Sequence, residues 1–188
     1  MILLVAATDR ELCGHDGLVC GVGPVEAAAA TARALALRPF DAVLHVGLAG
    51  ARDLPVGSLV VGTEAVYCDL SAEWPVVERV AADPALVAAV AAVLPAASQT
   101  PIHTSATVGG ASKGASDTVS LDPLVEGMEG FGVLRAAALA GVPAVEVRAI
   151  SNAIGEADRA RWQIGRALGE LDRALPGLVG AVLSAMAP

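Results

Sequence analysis

Short apolar runs of strand length alternate with Ala-rich segments of helical length along this chain, and that alternation restricts the fold more than any other feature. Residues 2–7 form an unbroken apolar run, the pattern of a strand buried on both faces. Residues 18–22 read as a short second strand. Gly23-Pro24 opens an Ala-rich helix over 25–37, with proline near its first turn and Pro39 ending it. A strand at 41–46 follows, and the small residues Gly47-Leu48-Ala49-Gly50-Ala51 read as a loop. Residues 59–67 form another strand, and Asp83-Pro84 starts a helix that runs to residue 94. Residues 102–108 read as a strand, followed by a mobile Gly/Ser-rich loop at 109–116. Residues 123–126 lead into Gly127-Met128-Glu129-Gly130. Residues 131–140 are helical, 143–150 form a strand, and 158–175 and 178–186 form two further helices.

Such alternation predicts one α/β domain over residues 1–188, in three layers, with a central, mostly parallel (mixed) twisted sheet flanked by helices. The length suits a single domain with a sizeable core. Hydrophobic residues make up 55% of the chain and aromatics only 3%, so the core must be Ala, Val and Leu packing. Small side chains of this kind let helices sit close to a sheet.

Composition also narrows the function classes. The mean hydropathy is +0.63, yet no uncharged apolar run reaches the ~18 residues of a membrane span. The apolar start lacks a basic flank and soon meets Asp9, Arg10 and Glu11, so no signal peptide is expected. The surplus apolar surface is read as a buried sheet plus a subunit interface, hence a homodimer or higher homo-oligomer. Net charge is −8 with Lys113 the only lysine, which argues against a nucleic-acid partner. Cys13, Cys20 and Cys68 are odd in number and lack metal-site spacing, and His15, His45 and His103 are scattered. The reading is a reduced cytoplasmic chain with no metal site and no cofactor.

In open α/β sheets, ligands bind beyond the carboxyl ends of strands, which singles out residues 8–11, 48–51 and 151–152. The run Gly21-Val22-Gly23-Pro24-Val25-Glu26 is a poor dinucleotide fingerprint, because Glu26 stands where a third glycine is needed and Pro24 lacks an N–H. It reads as a tight strand-to-helix turn. Glu11 is either a base for water or a solvated acid at a helix start. Glu129 is either a carboxylate for two vicinal hydroxyls or another helix-start charge. Its neighbours Gly127 and Gly130 permit close approach of a ligand. Arg148 is a charge inside an apolar strand that also carries Glu146. It either forms a structural pair or holds an active-site carboxylate or water. Asn152 either caps the following turn or recognises a base.

Taken together, these segments resemble the nucleoside phosphorylase and nucleosidase superfamily over nearly the whole chain. The anchors are residues 7–12 with Glu11, 21–28, 47–50, 59–67, Met128-Glu129-Gly130 and 148–152. The resemblance implies a nucleoside phosphorylase-like fold, with Glu11 activating water, Arg148 assisting, and Glu129 binding ribose. Met128, Ala49, Gly50, Val108 and Phe131 then join the substrate-binding residues. The methylthioadenosine/adenosylhomocysteine nucleosidases carry an aspartate where this chain has Asn152. An amide NH2 has two donors for the N7 and O6 acceptors of hypoxanthine, so Asn152 favours a 6-oxopurine. Ile150-Ser151-Asn152-Ala153-Ile154-Gly155, with Asp158, Arg159 and Trp162, looks like the futalosine hydrolases. That resemblance implies hydrolysis of futalosine to hypoxanthine in a menaquinone pathway, with water as co-substrate. Leu48, where the phosphorylases have a serine or threonine, and Glu11, which repels phosphate, favour hydrolysis over phosphorolysis. The alternatives are a methylthioadenosine-type nucleosidase, a purine nucleoside phosphorylase, and a nucleoside-binding protein without catalysis.

Overall fold

The computed structural model describes residues 1–70, 72–107 and 124–187. β1 (Ile2–Ala6) leads through a 3₁₀ turn (Asp9–Leu12) to β2 (Leu18–Val19), α1 (Pro24–Leu37), β3 (Ala42–Arg52) and β4 (Leu59–Tyr67). β5 (Arg79–Ala81), α2 (Pro84–Val93), β6 (Ser98–Thr104) and β7 (Leu124–Gly127) follow. Then come α3 (Gly130–Ala140), β8 (Ala144–Ala153), a second 3₁₀ turn (Arg159–Arg161) and α4 (Ile164–Ala185).

The expected three-layer α/β architecture is present. Alternate residues of β1 leave the sheet on opposite faces, as a doubly buried strand requires. Leu3 and Val5 pack with Ala27 of α1 and with Val133, Leu134 and Ala137 of α3. Leu4 and Ala6 belong to the core cluster on the other face, which also takes in Leu86 and Val90 of α2 and Leu171, Leu175, Leu178 and Val182 of α4. The scarcity of aromatics shows at the α1–α3 crossing. A Cβ on Gly132 would collide with the Pro24 carbonyl and come within 3.0 Å of the Ala28 nitrogen.

The sheet is mixed. β3 pairs in parallel with β1 and β8 and antiparallel with β7. β6 pairs in parallel with β4 and β7, while β4 and β8 are antiparallel. The pairings β3–β7–β6–β4–β8–β3 therefore close into a ring. A third core cluster (Ala49, Ala51, Val60, Ile102, Val125 and Ile150) draws on all five of those strands.

The structure differs from the sequence reading at several points. The small residues 47–51 are not a loop, because β3 runs through them to Arg52. β8 pairs with them on one side, and β7 joins on the other from Gly50 onward. The last helical stretch is one helix rather than two, since Ala167, Leu171, Leu175, Leu178 and Val182 form one buried stripe across Pro176. Burying each leucine contributes roughly 1.5–3 kcal/mol, which together outweighs the ~3 kcal/mol cost of an interior proline. Residues 158–162 hold only the short 3₁₀ turn. β2 spans only Leu18–Val19, and β5 was not anticipated. Val108, expected at the end of a strand and in the site, and the stretch 109–116 lie outside the described residues.

Candidate active site

The carboxyl ends of β1, β3 and β8 converge on one cavity of about 550 Å³. Glu11, Ala49, Gly50, Met128, Glu129 and Asn152 all line it. The three segments singled out by the strand-end rule thus meet in space.

Glu11 is only 7% exposed, and both of its carboxylate oxygens are hydrogen-bonded. One oxygen, Oε2, accepts from the Thr8 amide (3.0 Å) and the Thr8 hydroxyl (2.7 Å). The other, Oε1, accepts from the Leu48 amide at 2.9 Å. The turn is therefore a capping box, with Thr8 as the N-cap and Glu11 three residues on. Glu11 does sit at a helix start, as the bland reading held, but it is turned inward and pinned to β3.

Arg148 is completely buried and does not line the cavity, so it is not placed to touch a ligand. It holds groups that do line it. Its Nε donates to Glu146 (2.6 Å), and its Nη1 donates to Glu129 (3.2 Å) and to the Leu48 carbonyl (3.2 Å). Its Nη2 lies 2.6 Å from His45 Nε2. An arginine only donates, so Nε2 is the acceptor and the His45 proton is on Nδ1, facing the Val5 carbonyl at 3.1 Å. Burial, and then the Arg148 charge, push His45 well below its usual pKa, keeping it neutral. Burial works against the Arg148 charge itself. Glu146, Glu129 and Glu11 outweigh it and hold the guanidinium above its ordinary pKa. Glu146 is raised by burial, against the pull of Arg148, and its Oε2 has no hydrogen-bond partner.

Glu129 precedes α3 and is 4% exposed. Besides Arg148, it accepts from the Gly23 amide at 3.1 Å. The Gly21–Gly23 turn, with φ of 83° and 98° at its glycines, thus lends an N–H to the site.

The neighbouring glycines make room for the buried charges, and Gly127 also lines the cavity. A Cβ on Gly130 would strike the Glu146 carboxylate, and one on Gly127 would lie 3.3 Å from the Arg148 guanidinium carbon. One on Gly47 would stand 2.5 Å from Arg148 Nη1 and 2.9 Å from Glu11 Oε1.

Asn152 takes its Oδ1 partner from the Ser151 hydroxyl (2.7 Å), and its Nδ2 donates to the Ala153 carbonyl (2.9 Å). With one Nδ2 proton engaged, the amide presents one donor rather than the two expected. Phe131 does not line the cavity. Its ring stacks on Tyr67, with centroids 5.2 Å apart. Trp74 is 69% exposed and does not line the cavity either.

Sequence reasoning did not select Glu126 or Glu156, and it marked the segments of Arg10 and Ser151 without giving those two residues a role; all four line the cavity. It also gave no role to Thr8, although the Thr-x-x-Glu spacing of a capping box was present to find it. No local signal marks His45, whose partner Arg148 is more than a hundred residues away.

The fold and this acid-lined cavity define a member of the phosphorylase superfamily, which the sequence matches over residues 17–183. Futalosine hydrolase from Streptomyces coelicolor is 41% identical over 194 residues, covering 93% of this chain and 82% of that one. Futalosine hydrolase from Acidothermus cellulolyticus is 36% identical, covering 94% and 80%. The chain belongs to the futalosine hydrolase family. Among solved structures, a 5′-methylthioadenosine/S-adenosylhomocysteine nucleosidase from Helicobacter pylori shares the fold with a TM-score of 0.83 at 18% identity, covering 95% of this chain and 97% of that one. A futalosine hydrolase mutant from the same organism gives 0.81 at 17%, covering 95% and 98%.

Proposed function

We propose that this chain hydrolyses the N-glycosidic bond of a 6-oxopurine nucleoside, futalosine foremost, releasing hypoxanthine. The observation that carries the reading is that the carboxylates of Glu11 and Glu129 and the amide of Asn152 border one cavity. The identity with two futalosine hydrolases supports the choice of substrate.

The glycosidic bond lengthens first, leaving oxocarbenium character on the ribose. Glu129 accepts from ribose hydroxyls and sets negative charge beside the developing cation. Asn152 donates its remaining N–H to the leaving purine. Glu11 takes a proton from water as the water attacks C1′. Arg148 is a positioning residue, holding Glu129 and the Leu48 carbonyl from behind. Leu48 has no side-chain group for an oxyanion, so water rather than phosphate is the co-substrate. The enzyme works without a cofactor, in the cytoplasm, on the route to menaquinone, as a homodimer or larger homo-oligomer.

The test is product identification after incubation with futalosine, inosine and methylthioadenosine, each with and without phosphate. Hypoxanthine should appear from futalosine at a rate indifferent to phosphate. Adenine from methylthioadenosine alone would turn the reading into an adenosine-type nucleosidase. Turnover only with phosphate would make the chain a phosphorylase.

A further inference from the structure

We propose that Arg10 and Arg159, with the indole of Trp162, form a subsite for an anionic aromatic substituent on the 5′ carbon of the nucleoside. The proposal rests on the nucleoside reading of this cavity and adds to it a specificity site distinct from the hydrolytic acids.

All three residues line the cavity. Arg10 comes from the first 3₁₀ turn, next to Glu11. Arg159 belongs to the second 3₁₀ turn, and Trp162 follows that turn. The Arg159 guanidinium lies 5.8 Å from the centre of the Trp162 ring. The indole N–H donates to the Glu156 carbonyl at 3.0 Å, which fixes the plane of the ring.

Among the described residues, neither Arg10 nor Arg159 forms an ion pair with a carboxylate. Asp158, the acid adjacent to Arg159, caps the second turn by accepting from the Ala160 amide at 3.0 Å, and Glu156 is engaged by Arg161 at 3.2 Å and by the Asp158 amide at 3.0 Å. Glu11 and Glu129 are engaged by Thr8, Leu48, Gly23 and Arg148. The remaining lining acid, Glu126, has its carboxyl pKa raised first by burial and then by Asp69, which weakens its competition for a cation.

Position follows by elimination. Asn152 takes the base and Glu129 the ribose. The wall formed by the first turn, Trp162, Ile164 and Leu168 is left for whatever the ribose carries at C5′. A fixed indole offers a stacking face, and guanidinium groups offer paired donors that match a carboxylate. An aromatic carboxylate satisfies both, whereas an uncharged alkyl or hydroxymethyl group leaves both arginines idle.

The experiment compares kcat/KM for futalosine, whose 5′ substituent is a carboxylated aromatic, with that for inosine, which has a bare 5′ hydroxyl. Arg10→Met and Arg159→Met should each lower the futalosine-to-inosine ratio about tenfold through KM, the size of one charge-assisted hydrogen bond at a partly solvated site. Arg159→Lys should recover part of the loss, and melting temperatures should stay near the parent's because both side chains are exposed. An unchanged ratio in both Met variants, or an equal loss with both nucleosides, overturns the subsite. If the parent protein releases base from neither nucleoside, the hydrolase reading fails. Calorimetric binding of futalosine then decides the subsite: weaker binding by the Met variants supports it, and equal binding overturns it.

Discussion

A guanidinium with no solvent contact is held in place only by its partners, and Arg148 has four: Glu146, Glu129, the Leu48 carbonyl and neutral His45. Removing one partner of a buried charge pair costs about 3–5 kcal/mol, so this cluster fixes the place of Glu129 firmly. Glu11 is tuned differently, by three donors that hold its carboxylate at the cavity wall. Glu11→Gln keeps the size of the side chain and removes the base. It should lower kcat about 10²–10⁴-fold with futalosine while leaving the dissociation constant nearly unchanged. A kcat near the parent's would remove Glu11 from the mechanism. Glu11 was legible in the sequence because it follows a strand at the end where ligands bind, and Glu129 because it stands in Met128-Glu129-Gly130, an anchor of the family resemblance. Arg148 was visible as a misplaced charge, but its pairing with both Glu146 and Glu129 depends on contacts across the fold. Phe131, two residues past Glu129, does not line the cavity and stacks on Tyr67 instead, a contact across the fold that no local pattern reveals. Gly127 and Gly130 were recognised as places of close approach, yet what approaches is buried charge.

At the scale of elements, patterning served well where a run was long and poorly where side-chain size had a second meaning. The doubly buried β1 and the capped α2 were read nearly to the residue. β3 was cut short because glycine and alanine normally signal a loop, whereas here they make room for Arg148, Glu11 and Asn152. α4 was split because proline normally ends a helix. Pro176 is exposed on that helix, so it contributes no buried contact and removes one backbone hydrogen bond. Pro176→Ala should therefore stabilise the fold. The gain in helix propensity is ~3 kcal/mol, less the ~0.4–1 kcal/mol lost because the unfolded chain becomes freer. A net gain of about 2 kcal/mol raises Tm by roughly 4–8 °C in a chain of this length. A melting temperature equal to or below the parent's would mean that α4 is strained for another reason.

For the whole molecule, the buried histidines set the response to acid. His45 is held well below 6.5 by burial and Arg148, and His103 is lowered by burial and then by Arg79. The unfolded chain takes up protons at these positions below about pH 6.5 and the folded chain resists, so their contribution is complete above that value and is lost as pH falls. Each histidine steepens the loss by up to about 1.4 kcal/mol per pH unit. Glu126 and Glu146 oppose it, because their raised values favour the folded state below about 4.5 and cease to do so as pH rises through them. Urea unfolding between pH 7 and 5 should therefore show a shallower decline for His45→Gln than for the parent. Parallel declines would mean that His45 takes up its proton in the folded protein. No helix among the described residues is long and apolar enough to cross a membrane.

The ring of five strands has one further consequence. A closed hoop of hydrogen bonds cannot shift its register one strand at a time, so the groups mounted on β3 and β8 and just past β7 keep their spacing whatever enters. Adaptation to new substrates is then left to the short turns hung outside the hoop, which can be exchanged without disturbing the groups that break the bond. Lineages built on this scaffold should accordingly diverge first in what they accept and last in how they cut it.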